Sequence, residues 1–142
     1  MAAVNRKRIA LGAVAGGVAW TVWTMIVNVG ILGPRYEVAQ KAGQLLKEPR
    51  YAFFLPAWIV TIFLVSCVVT WLYASVRATL GPGPRTALLL GLSVGFAAAF
   101  PLNLSTATWA PFDRAFPLWW MLDVWVGIIL AVMVGGWLYK EE

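Results

Sequence analysis

The 142-residue sequence contains no histidine, a single cysteine and only six acidic residues. Without histidine there is no His-ligated haem, no His-ligated chlorophyll and no His-based zinc site, and one thiol can neither close an internal disulfide nor hold an iron–sulfur cluster. No cofactor is expected. The alternation of apolar and polar residues over ~10 positions that marks a lipid-facing β-strand is also missing, which excludes a closed barrel. Charge is scarce: charged residues make up 12% of the chain and hydrophobic ones 61%, far from the balance of a soluble domain. The formal charge of +5 is scattered through loops and not gathered into a basic tract. No nucleic-acid partner is expected, and the lipid bilayer with its anionic headgroups is the natural counterpart.

What is present is long apolar sequence. A hydrocarbon core of ~30 Å calls for about 20 apolar residues per helix, and residues 9–32, 52–76, 86–109 and 117–139 meet that length. The expected fold is an all-α integral membrane protein, a four-transmembrane-helix bundle of two helical hairpins forming one domain over residues 1–142. Arg6-Lys7-Arg8 before an apolar run resembles the start of a secretion signal. The apolar run exceeds the ~7–15 residues of a signal core and no small-x-small site follows, so the segment reads as an uncleaved helix. Cys67 falls mid-span in the second helix, where a buried thiol is expected.

Lysine and arginine near helix ends set orientation. Arg6, Lys7, Arg8, Arg77, Arg85 and Lys140 fall on one side, and Arg35, Lys41, Lys47, Arg50 and Arg114 on the other. The basic cluster against the first span favours both termini in the cytoplasm, and the compact loops suggest a bacterial plasma membrane. In the first outer loop, YEVAQKAGQLLKE places Val38, Ala39, Ala42, Leu45 and Leu46 at helical spacing between Pro34 and Pro49. A short amphipathic helix on the membrane surface is predicted there. The second connection, RATLGPGPRT, is a tight turn. Trp58, Trp109, Trp119 and Trp120 sit near outer helix ends, and Trp71, Tyr73, Trp137 and Tyr139 near inner ends, as interfacial anchors would.

Helices in lipid associate through close backbone approach and interhelical hydrogen bonds, so small residues mark the contacts. Gly12 and Gly16 form such a stripe on the first helix, Gly91, Gly95 and Ala99 on the third, and Gly127, Ala131 and Gly135 on the fourth. These glycine-rich faces also suit a homodimer or a larger membrane complex. Thr61, Ser66 and Thr70 of the second helix are expected to bond back to their own carbonyls.

Asp123 is the exception inside the last span. A charged group near the bilayer centre costs at least ~2.5–3.5 kcal/mol, so such residues face a bundle interior or a wet cavity. Asp123 shares a helix face with Gly127, Ala131 and Gly135, which directs it inward. Counting from the outer helix ends at ~1.5 Å per residue brings Asn28, Asn103 and Asp123 to one level. Thr24 shares a side with Asn28, Thr106 shares one with Asn103, and Pro101 is expected to kink the third helix beside them. Trp20 lies mid-helix, either packed in the core or lining a pocket. The predicted ligand-binding set is Asp123, Asn103, Asn28, Thr106, Thr24 and Trp20. The bland reading of Asp123 is a pairing with Arg114, Arg50 or Asn103 that fixes helix register.

Catalysis needs cooperating groups within hydrogen-bond reach, and Asp123 has no histidine and no second embedded acid or lysine beside it. The expectation is a non-enzymatic accessory or scaffold subunit, or a small-molecule-binding bundle with a polar pocket around Asp123. The alternative is a small dimeric proton-coupled transporter. In length and helix number the chain is similar to small multidrug exporters, but their functional glutamate lies in the first helix. This first helix has no acidic residue, so no residue is carried over and no family is assigned.

Overall fold

A computed structural model describes residues 5–140; the two termini themselves lie outside that range. Helix α1 (Arg6–Met25) starts at Asn5, whose side-chain oxygen accepts the Arg8 N–H at 3.1 Å and caps the first turn. It runs without a break into a π-helical turn, Ile26–Ile31. Helices α2 (Gly33–Lys41), α3 (Phe54–Leu80), α4 (Pro84–Trp109) and α5 (Ala115–Leu138) follow, and no strand occurs among the described residues. Four helices, α1 with its π turn, α3, α4 and α5, are long and apolar enough to cross a membrane. They coincide with the four expected spans to within a few residues and mark an integral membrane protein.

The surface helix α2 is shorter than its apolar spacing predicts. It stops at Lys41 because Gly43 takes a left-handed conformation at φ 73°. The Gly43 N–H then donates to the Gln40 carbonyl at 3.2 Å and the Gln44 N–H to the Ala39 carbonyl at 2.9 Å, a Schellman ending. The predicted apolar face is therefore split. Ala39 is buried and Leu45 packs partly inward, whereas Val38 and Leu46 are exposed.

Helix α5 is the hub, touching α1, α3 and α4, while α1 and α4 do not meet among the described residues. Its contact with α1 is a ladder of rungs one helical turn apart. Gly12 lies against Gly135, Gly16 against Ala131, and Trp20 against Gly127. A methyl group added at Gly16 would stand 2.5 Å from the Ala131 carbonyl oxygen, and one at Gly127 would overlap the Trp20 indole. On its other flank α1 receives the Phe63 ring of α3 at Gly17. Helix α4 meets α5 in the same manner, with Gly91 against Ile129 and Gly95 against Trp125. Pro101 is carried inside α4, which remains one helix.

Several expectations need correction. Cys67 is exposed, because α3 turns Ile62, Ser66, Val69 and Thr70 inward and leaves position 67 outside that face. Thr61 and Ser66 donate to the carbonyls of Ala57 and Ile62 as expected, each at 2.8 Å, but buried Thr70 has no hydrogen bond for its hydroxyl among the described residues. That hydroxyl is instead pressed against Gly135. Tyr73 and Tyr139 are buried, not interfacial anchors, and meet edge to face with ring centroids 6.5 Å apart. Trp109 and Trp137 are highly exposed.

The ladder makes a sharp forecast. Replacing Gly16 with Leu should lower stability by about 3 kcal/mol or prevent folding, since the facing group is backbone and cannot swing aside. Gly30→Ala, where an added methyl meets nothing within 4 Å, should change stability by less than about 1 kcal/mol. Thermal unfolding in mild detergent compares the two; equal losses would remove the close α1–α5 approach as the source of stability.

Candidate functional site

The fourth rung of the ladder is polar. One turn beyond Trp20 and Gly127, Thr24 of α1 faces Asp123 of α5. Asp123 is 2% exposed. Its Oδ2 accepts the Thr24 hydroxyl at 2.5 Å and the Asn28 amide Nδ2 at 2.9 Å. Asn28 stands in the π turn, and its Nδ2 also reaches the Thr24 carbonyl at 3.0 Å. A π turn takes up one more residue than an α turn, and such turns are rare and recur at functional sites. Here the wide turn is closed by the Leu32 N–H donating to the Val27 carbonyl at 2.9 Å.

Above Asn28 the network continues into α2 and out to the start of α5. The Trp120 Nε1–H donates to the Tyr36 hydroxyl at 2.8 Å, and Tyr36 in turn donates to Asn28 Oδ1 at 2.9 Å. An indole nitrogen can only donate, so it leaves the Tyr36 proton for Asn28. That contact fixes which end of the Asn28 amide is the acceptor and turns the NH₂ group to Asp123. The chain of bonds therefore has one direction, toward the carboxyl. Phe116, fully buried, packs on Tyr36 with ring centroids 5.0 Å apart and on Trp120 at 5.8 Å, holding both rings in place.

Two buried polar atoms stand out beside this network. Trp20 Nε1 approaches the Asp123 carboxyl without completing a hydrogen bond. Asp123 Oδ1 has no hydrogen-bond partner among the described residues either. Such groups are rare because each is costly to desolvate.

The structure brings Asp123, Thr24, Asn28 and Trp20 together. It leaves Asn103 and Thr106 outside the hydrogen-bonded cluster: Asn103 Nδ2 donates to the Ala99 carbonyl and the Thr106 hydroxyl to the Leu102 carbonyl, each within α4 at 2.8 Å. The α4–α5 register, with Gly91 on Ile129 and Gly95 on Trp125, carries Asn103 past the level of Asp123, and α4 packs on another flank of α5 from α1. No arginine reaches Asp123 among the described residues. The ion pair there is Arg35 with Asp113, 2.8 Å apart and exposed. The Ala115 backbone N–H, with Arg35, holds the Asp113 carboxyl below its usual range. This pair tethers α2 to the loop before α5 at neutral pH and lets go as pH falls through that lowered value. Tyr36 and Trp120, the outer half of the network, were not singled out as site residues; their only sequence signal was aromatic character near a helix end.

Burial pushes the Tyr36 hydroxyl above its ordinary value of 10.0, the Trp120 hydrogen bond lowers it, and the nearby Asp123 carboxyl raises it. A raised value means that the fold favours the protonated hydroxyl, so its contribution is complete below 10.0 and is lost as pH rises past it. Ionised Tyr36 could not donate to Asn28, and the amide would lose its orientation. Wild-type melting temperature should drop in alkali, and Tyr36→Phe should flatten that drop while lowering stability at neutral pH by about 1 kcal/mol. Thr24→Val should cost a similar ~1 kcal/mol, within the range of interhelical hydrogen bonds in membranes. Compared with protein-family models, with curated proteins and with solved structures, the chain matches none.

Proposed function

We propose that the chain is a four-helix transmembrane bundle acting as a non-enzymatic accessory or scaffold subunit, with the Asp123 cluster serving to lock helix register. The carrying observation is that Asp123 Oδ2 receives one donor from α1 and one from the π turn that continues it, in line with the glycine rungs below it. A carboxyl so placed penalises any sliding of α1 along α5, because a one-turn slip would leave a buried acid and the buried Thr24 hydroxyl unmatched. The large exposed apolar side chains along α3 and α4, such as Leu55, Leu64, Phe96 and Leu102, offer surface to lipid or to a partner helix. A non-enzymatic role agrees with a sequence that sets no second embedded acid, base or nucleophile beside Asp123. We place both termini in the cytoplasm, where the more basic helix ends would lie.

A second reading, a dimeric proton-coupled transporter, draws on the unpartnered Asp123 Oδ1 and Trp20 Nε1. Asp123→Asn separates the two. Under the scaffold reading the variant keeps the oligomeric mass of the wild type in mild detergent, loses about 1–2 kcal/mol of stability, and neither protein drives proton-dependent dye uptake into vesicles. Uptake by the wild type that vanishes in Asp123→Asn would replace the scaffold reading with the transporter. A lone monomer by mass would count against both.

A further inference from the structure

At the end of the molecule opposite the Asp123 cluster, four helix ends converge. The Asn5 N–H donates to the Tyr139 hydroxyl at 3.2 Å, and Arg77 Nη1 to the Tyr139 carbonyl at 3.4 Å. The Gly83 N–H donates to the Tyr73 hydroxyl at 3.0 Å. These bonds tie the start of α1, the end of α3, the α3–α4 turn and the end of α5. Beside them a groove of about 520 Å³ opens between the turn and α5. Pro82 and Pro84 form its rigid rim, Ala87, Met133 and Val134 its apolar wall, and Arg77 and Tyr139 its polar end.

We propose that this groove binds an anionic phospholipid, with the phosphate at Arg77 and the upper part of an acyl chain along Ala87, Met133 and Val134. Three observations carry it. The Arg77 guanidinium is oriented in advance, 5.9 Å from the Tyr73 ring centroid and 5.2 Å from that of Tyr139. Its planar fork of donors matches phosphate oxygens better than an ammonium would. The wall is apolar and continues onto outward side chains, with Leu88 and Trp137 exposed at 43% and 80%, so a chain lying there stays in contact with the surrounding lipid. The helix ends here carry Arg6, Lys7, Arg8, Arg77, Arg85 and Lys140, against which the sequence sets Glu141 and Glu142. The volume falls within the range of single-ligand sites.

Native mass spectrometry of the full chain, titrated with phosphatidylglycerol, phosphatidylcholine or inorganic phosphate, tests the site. Phosphatidylglycerol should be retained about 5-fold over phosphatidylcholine, the effect of roughly one cation at a headgroup. Arg77→Gln should erase that preference and Arg77→Lys keep part of it. Val134→Trp, which fills the wall and leaves the charge alone, should reduce retention of phosphatidylglycerol even if Arg77→Gln does not fold. Equal retention of the two lipids overturns the proposal, as does inorganic phosphate displacing phosphatidylglycerol, which marks a free-anion site. A Val134→Trp variant that changes oligomeric mass but not lipid retention also overturns it and identifies a second copy as the occupant.

Discussion

The close approach of α1 and α5 is the constraint on which the rest of the structure depends. In an apolar medium two helices gain nothing by hiding leucines from one another, so attraction must come from many short dispersion contacts and from hydrogen bonds. Gly12, Gly16, Gly127 and Gly135 bring the backbones near enough for the first. Thr24, Asn28 and Asp123 supply the second, on the same face and in the same four-residue rhythm. The two contributions fail together if the register moves, which makes one alignment much better than its neighbours.

The π turn joins this ladder to the outer surface. Thr24 lies on the regular part of α1, whereas Asn28 lies in the widened turn and must face both Asp123 below and Tyr36 above. The turn ends at Leu32, and Gly33-Pro34 then starts α2, so the strand of bonds crosses from a long helix to a short surface helix without a gap. Phe116 and Leu32, both fully buried, seal the cluster from the outer side. A donor-only indole at one end and a carboxyl at the other give the network a fixed polarity, which few buried clusters of neutral groups possess.

The two ends of the molecule are built on different chemistry. At the α2 end, aromatic rings enclose a short relay and an exposed ion pair tethers the loop. At the opposite end, two buried tyrosines act as hydrogen-bond acceptors for backbone N–H groups while arginine stacks on their rings. Tyr73 and Tyr139 belong to the aromatic set that composition alone assigns to interfacial belts, yet their hydroxyls are needed to satisfy helix ends brought together by packing. Trp137, nearby in sequence, remains outside and exposed.

Length and hydropathy determined the four apolar helices, because a span needs only a run of apolar residues and each backbone group finds its partner within the same helix. The stripe below Asp123 was also legible, since helical periodicity alone puts positions 123, 127, 131 and 135 on one face. Periodicity could not say which helix that face meets. Counting from helix ends made Asn103 and Asn28 equivalent, and the packing of α1 on one flank of α5 and α4 on the other, each in its own register, separated them. Asn28 in the π turn meets a carboxyl 95 positions away, and Tyr36 meets an indole 84 positions away, contacts that no local pattern announces. Sequence thus settled what each helix is made of and which way its acid points along its own axis, whereas tertiary structure chose the acid's partners, because partner choice is a matter of which surfaces fit closely enough to exclude the alternatives.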